Sequence, residues 1–166
     1  MATFSRKDFM IHNDYMTPKS AWEDIKDFIP KDKVIWEPFY GDGKSGEYLT
    51  EMGFNVIHQK KDFFTYDVSD SVVVSNPPFS KAKEILTKLT NTNRPFIMIM
   101  PVSKIATQYF RELFVGKDIQ LIIPKKRIHF EKQLDGKVPD NWKNACNFDC
   151  FYYCWKMDLP RDIVWL

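Results

Sequence analysis

The chain is short of net charge, of long apolar runs and of clustered metal ligands. Its 166 residues carry a formal charge of only +2. A polyanionic partner therefore needs a local basic patch rather than a basic protein. No stretch reaches the apolar length of a membrane span, and the N-terminal MATFSRKDFM lacks a signal-peptide core. These absences lead us to expect a soluble, cytoplasmic protein, or one in a host-cell interior. The three histidines, His12, His58 and His129, are scattered, with no ligand spacing. The three cysteines, Cys146, Cys150 and Cys154, superficially resemble an iron–sulfur triplet. In a strand, however, Cys150 and Cys154 share one face and simply pack. There is no repeat and no low-complexity tract.

What is present is a hydrophobic, aromatic-rich composition, 44% and 16% respectively, enough for one domain over residues 1–166 with a sizeable core. Ser20–Glu23 matches a capping box, and Trp22, Ile25, Phe28 and Ile29 form a helical stripe ended by Pro30. Val34–Trp36 reads as a strand, followed by a short helix with Tyr48, Leu49 and Met52 inward, then a strand at Asn55–His58. An extended piece around Phe63–Tyr66 precedes a strand within Val68–Ser75. Lys81–Leu89 reads as a helix capped by Ser80. Pro95–Met100 is a strand, Lys104–Phe114 a helix, and Ile119–Ile123 and Phe148–Trp155 are strands. The alternation predicts an α/β fold with a mostly parallel sheet and helices on both faces. The last two strands lack a helix between them, which predicts that they pair antiparallel at one edge, giving the sheet an antiparallel edge strand. Residues 124–147 form a long loop on the rim that faces substrate.

Two stretches carry chemistry. Gly41-Asp42-Gly43-Lys44-Ser45-Gly46 follows a strand and precedes a helix, so its glycines allow a ligand close to the backbone. Glu37, just upstream, disfavours the phosphates of a dinucleotide and suits a ligand bearing an ammonium and a sulfonium. A Walker phosphate loop is excluded, because Pro38 stands where that pattern needs glycine. The second stretch is Asn76-Pro77-Pro78-Phe79, directly after the buried run Val72-Val73-Val74. The Asn76 side-chain oxygen and the Pro77 carbonyl are two acceptors for an exocyclic amine. They would draw its nitrogen toward tetrahedral geometry. The prolines hold them rigid, and Phe79 offers a face for a flipped base. The bland alternative is a stiff turn with Phe79 in the core.

Together, Asn76–Phe79 and Glu37-Pro38-Phe39-Tyr40-Gly41-Asp42-Gly43 resemble the amino-group methyltransferases of the class I S-adenosylmethionine fold. The nearest likeness is to small phage- and virus-type DNA adenine-N6 methyltransferases. The resemblance spans roughly Asp14 to Trp155 and implies a Rossmann-like domain that transfers a methyl group to adenine N6. It implies S-adenosylmethionine as cofactor, held by Glu37 to Gly43 and by Asn76. It also implies that Tyr15, Thr17 and Pro18 close over the methionine end. Asp62 and Phe63 would bind the cofactor's adenine. One departure is the missing acid after the second strand, where His58 and Gln59 stand; Gln59 is the substitute ribose ligand. A second is the lack of a target-recognition domain. Lys125, Lys126 and Arg127, with Trp142 and Lys143, are the candidates for contacting nucleic acid, DNA before RNA. Ile163–Leu166 is a candidate dimer interface, or a partner subunit supplies what is missing. The rival readings are an RNA adenine methyltransferase, a protein glutamine-N5 methyltransferase and a non-catalytic binding subunit.

Overall fold

The structure is a computed structural model that describes residues 15–132 and 148–166. Its elements run β1 (Tyr15–Met16), α1 (Lys19–Glu23), β2 (Val34–Trp36), α2 (Lys44–Glu51), β3 (Asn55–Ile57), β4 (Ser71–Ser75), α3 (Ala82–Asn91), β5 (Phe96–Pro101), α4 (Gln108–Phe114), β6 (Ile119–Ile123), β7 (Glu131–Lys132), β8 (Cys150–Trp155) and β9 (Ile163–Trp165). Seven strands form one mixed sheet in the order β3-β2-β4-β5-β8-β6-β9, and β1 pairs with β7 in a separate ribbon. Strand β8 runs antiparallel to both neighbours, while the β2–β3, β2–β4, β4–β5 and β6–β9 pairs are parallel. The fold is therefore α/β with a mostly parallel sheet.

Period-two alternation divides the core between the two faces. Ile35, Val72, Val74, Ile97 and Ile99 pack with Trp22 of α1 and Leu49 of α2. Trp36, Val73, Phe96, Met98 and Met100 pack with Leu86 of α3 and Phe110 and Phe114 of α4. Helices thus cover both faces. Cys150 and Cys154 join Tyr152 on the first face, buried and without a disulfide. Cys146 lies outside the described residues. No helix among the described residues is long and apolar enough to cross a membrane.

Several local expectations are corrected. Strand β8 is not at the edge: it is inserted between β5 and β6, and β9 is the edge. Helix α1 begins after Pro18 rather than Ser20, with no side-chain cap. Helix α3 has Lys81, not Ser80, at its N-cap, because a 3-10 turn at Phe79–Lys81 intervenes. Phe63–Thr65 is a 3-10 turn rather than an extended piece, since the Asp62 side chain accepts from the Phe64 N–H and closes it. The helix expected over Lys104–Phe114 breaks at Thr107. The Thr107 hydroxyl accepts from the Phe110 N–H and starts α4 there, leaving Val102–Ala106 as a 3-10 turn.

Candidate functional site

Four parallel strands end on one rim, and the cleft opens where β2 and β4 finish. Its volume is about 460 Å³. In an open α/β sheet the loops at the carboxyl ends of the strands form this crevice. The segment after β2 supplies Glu37, Pro38, Phe39 and Gly41. The segment after β4 supplies Asn76 and Pro78, and β1 with its exit supplies Tyr15 and Thr17. Asp62 and Phe63 close one side.

Glu37 is the hub. It is only 1% exposed. Its Oε1 accepts from the Phe39 N–H at 2.9 Å and from the Ser75 hydroxyl at 2.6 Å. The Asn76 N–H also donates to the carboxyl. These bonds tie the end of β2 to the end of β4. Burial pushes the carboxyl up to about 8, against the lowering by its three donors. At neutral pH it therefore stands protonated. The expectation of an anion facing a cationic ligand is corrected: desolvation outweighs hydrogen bonding here.

Asn76 Nδ2 donates to the Tyr15 carbonyl at 3.0 Å, which fixes the amide plane. Its Oδ1 is buried and has no hydrogen-bond partner, and the same holds for Thr17 Oγ1. An unsatisfied buried acceptor costs about 1–3 kcal/mol, so two of them lining one cleft mark where a donor-bearing ligand is absent from the protein's own bonding. β1 is held in turn by pairing with β7, Tyr15 opposite Lys132 and Met16 opposite Glu131.

The glycines of this loop make room for the protein's own side chains, Met16 over Gly41, Tyr40 over Gly43 and His58 over Gly46. Gly43 has φ +83°, and a Cβ there would stand 2.9 Å from the Tyr40 hydroxyl. Gly46 lies inside α2, and its Cβ would meet His58 Cδ2 at 2.3 Å. That ring cannot give way easily. His58 Nδ1 donates to the Glu37 carbonyl at 2.9 Å, and the ring stacks on Tyr40 with centroids 4.8 Å apart. Gly46→Ala is expected to destabilise the fold by about 1–3 kcal/mol through overpacking. Thermal unfolding checks this; an unchanged melting temperature contradicts it.

Other expected site residues lie elsewhere. Phe79 is 7% exposed, edge-on to Phe130 and Phe148, so it is core and not a stacking platform. Pro77 is buried, and Pro18, Gly43 and Gln59 do not line the cleft. His58 Nδ1 donates to the Glu37 carbonyl, its Nε2 is buried without a partner, and the ring does not line the cleft. Asp62 caps its own turn while lining the cleft. Lys125 and Lys126 are exposed, but Arg127 Nε donates to Asp149 Oδ1 at 2.8 Å. Trp142 and Lys143 lie outside the described residues. Lys61 and Lys81 line the cleft without having been singled out; their places beside Asp62 and after Phe79 were the available signal.

No family model matches the chain. A search of curated proteins finds a zinc metalloprotease of Methanocaldococcus jannaschii, 34% identical over 93 residues. The match covers 55% of this chain, which spans about a quarter (26%) of that relative. This finding overturns the resemblance to the amino-group methyltransferases, phage- or virus-type or otherwise. The enzyme assignment and S-adenosylmethionine as cofactor fall with it, and neither is carried further.

Proposed function

We propose that the cleft is a base-recognition site for nucleic acid, DNA before RNA, which grips the exocyclic amine of an adenine. Asn76 Oδ1 accepts one N–H of that amine. The observation that carries this reading is the buried, partnerless Asn76 Oδ1, held in orientation by the bond from Nδ2 to Tyr15. The fold reading that goes with this is a Rossmann-like doubly wound sheet. The parallel run β3-β2-β4-β5 and a crevice at the carboxyl ends of β2 and β4 support it.

The chain then acts as a binding module that presents an adenine amine; a glutamine side-chain amide of a protein is the competing occupant for the same acceptor. Titration with adenosine and with N6,N6-dimethyladenosine tests the reading. Adenosine should bind at least about tenfold more tightly, since one lost hydrogen bond in a buried site exceeds about 1 kcal/mol. Equal affinities contradict the proposal.

The curated relative raises zinc-dependent hydrolysis as a second reading. The residues do not fit it. Among the described residues no group of three or more His, Cys, Asp or Glu is placed to hold a metal ion. The sequence has no His-Glu-x-x-His stretch. Burial raises the Cys154 thiol, which disfavours the thiolate a metal needs. No step is derived through zinc.

A further inference from the structure

The loop segments on the two rims of the sheet differ in their charge. Within two residues of the starts of the parallel-running strands β2, β4, β5, β6 and β9 stand Asp32, Asp70, Asp118 and Asp162 together with Lys33, Arg94, Lys117 and Arg161, so acids and bases balance there. The opposite rim, where the cleft lies, is different. Three segments follow the carboxyl ends of β4, β5 and β6: residues 76–81, 102–107 and 124–130. None contains an acid, and they carry Lys81, Lys104, Lys125, Lys126 and Arg127. Arg127 is taken by Asp149. Among the described residues the ion pairs use none of the four lysines.

Strand register brings these segments to one rim in a staggered row: Ser75 lies level with Met98, Tyr153 and Leu121, and β5 and β6 run on beyond it by three and two residues. Ser75 pairs with Met98, Pro101 with Cys150 and Ile122 with Tyr152, so β4, β5 and β6 end on the same rim. Edge strand β9 ends there too, with Trp165 opposite Ile123. Trp165 is 75% exposed, the most exposed of the large apolar side chains described. From the β2 end to the β9 end there are five strand spacings, roughly 24 Å at about 4.8 Å each.

We infer that this rim is a track for a single nucleic-acid strand, running from the cleft over Lys81, Lys104, Lys125 and Lys126 to a base stacked on Trp165. Cations spaced along a rim with an aromatic platform form the arrangement that holds single strands without reading their sequence. A span of roughly 24 Å corresponds to about seven nucleotides at a stacked rise of about 3.4 Å. A lipid surface is the other anionic partner, but it has no use for a cleft with buried acceptors at one end of the row. The inference rests on the base-recognition reading, and it extends that reading to residues outside the cleft.

The test uses fluorescein-labelled (dT)12, which has no adenine and so reports the rim apart from the cleft. Four contacted phosphates predict a slope of log affinity against log salt of about −2.8, since single strands give about −0.7 per phosphate. Replacing Lys104, Lys125 and Lys126 together by alanine should bring the slope to about −0.7. Trp165→Ala should weaken binding about tenfold while leaving the slope unchanged, as loss of one stacking platform does. An unaltered slope in the triple variant overturns the track. So does binding to phosphatidylserine vesicles with none to (dT)12, or no binding to either. Loss of slope in the triple variant, with no preference for adenosine over its dimethylated form, upholds the track and removes the cleft reading alone.

Discussion

Asn76→Leu should abolish the discrimination between adenosine and N6,N6-dimethyladenosine. The substitution keeps the approximate volume but removes both polar atoms. Oδ1 is the buried acceptor without a protein partner, and Nδ2 is the donor that ties the loop to Tyr15. Adenosine affinity should fall about tenfold or more, while affinity for the dimethylated nucleoside changes little, because it offers Oδ1 no N–H. The Tyr15 carbonyl loses its donor as well, so a stability cost of about 1 kcal/mol is expected. Calorimetric titration of both nucleosides against both proteins checks the claim. If the variant still prefers adenosine as strongly as the wild type, the amine is not held by Asn76.

The second large effect concerns Glu37 and pH. Its carboxyl, buried and raised to about 8, stays protonated in the folded protein where the unfolded chain, near 4.5, has already ionised. Between those values the folded state binds more protons than the unfolded state. Stability therefore falls as pH rises from about 4.5 to about 8, then levels off, which is the reverse of a salt-bridged carboxylate. The slope is on the order of 1 kcal/mol per pH unit for one group. Glu37→Gln is neutral at every pH and keeps an oxygen for the Phe39 N–H and the Ser75 hydroxyl, so its stability should be nearly flat across the same range. Glu37→Ala should cost about 2–4 kcal/mol at pH 6, because it strands the donors from Phe39, Ser75 and Asn76. Urea unfolding from pH 5 to 9 measures all three proteins. Parallel slopes for wild type and Glu37→Gln contradict a protonated Glu37.

The strands were the most legible part of the fold. Val72–Val74 and Phe96–Met100 are continuous apolar runs because β4 and β5 have helices on both faces and no solvent side. The packing of Cys150 and Cys154 followed from period-two spacing alone. Strand order was not legible: nothing in the residues of β8 says that it inserts between β5 and β6, and β9 was too short and too exposed to read as a strand. Helix Lys104–Phe114 looked continuous because apolar residues recur correctly through Thr107. A cap overrode that pattern locally.

The places of Glu37, Gly41 and Asn76 were readable because each depends on its own strand-end position, and all three line the cleft. Phe79 was not. Its place in the core is set by Phe130 and Phe148, which arrive from distant loops, so a local reading offered a platform where the tertiary structure makes a plug. Protonation of Glu37 was equally hidden, since sequence gives the acid but not the extent of its burial. The likeness to amino-group methyltransferases rested on two short stretches. The match with a metalloprotease shows how little such stretches fix by themselves.

The most direct measurement is a crystal structure of the protein with an adenine-containing single-stranded oligonucleotide. We expect one adenine in the cleft with its exocyclic nitrogen within hydrogen-bond distance of Asn76 Oδ1. An adenine bound elsewhere, or one in the cleft with its amine turned away from Asn76, contradicts the account.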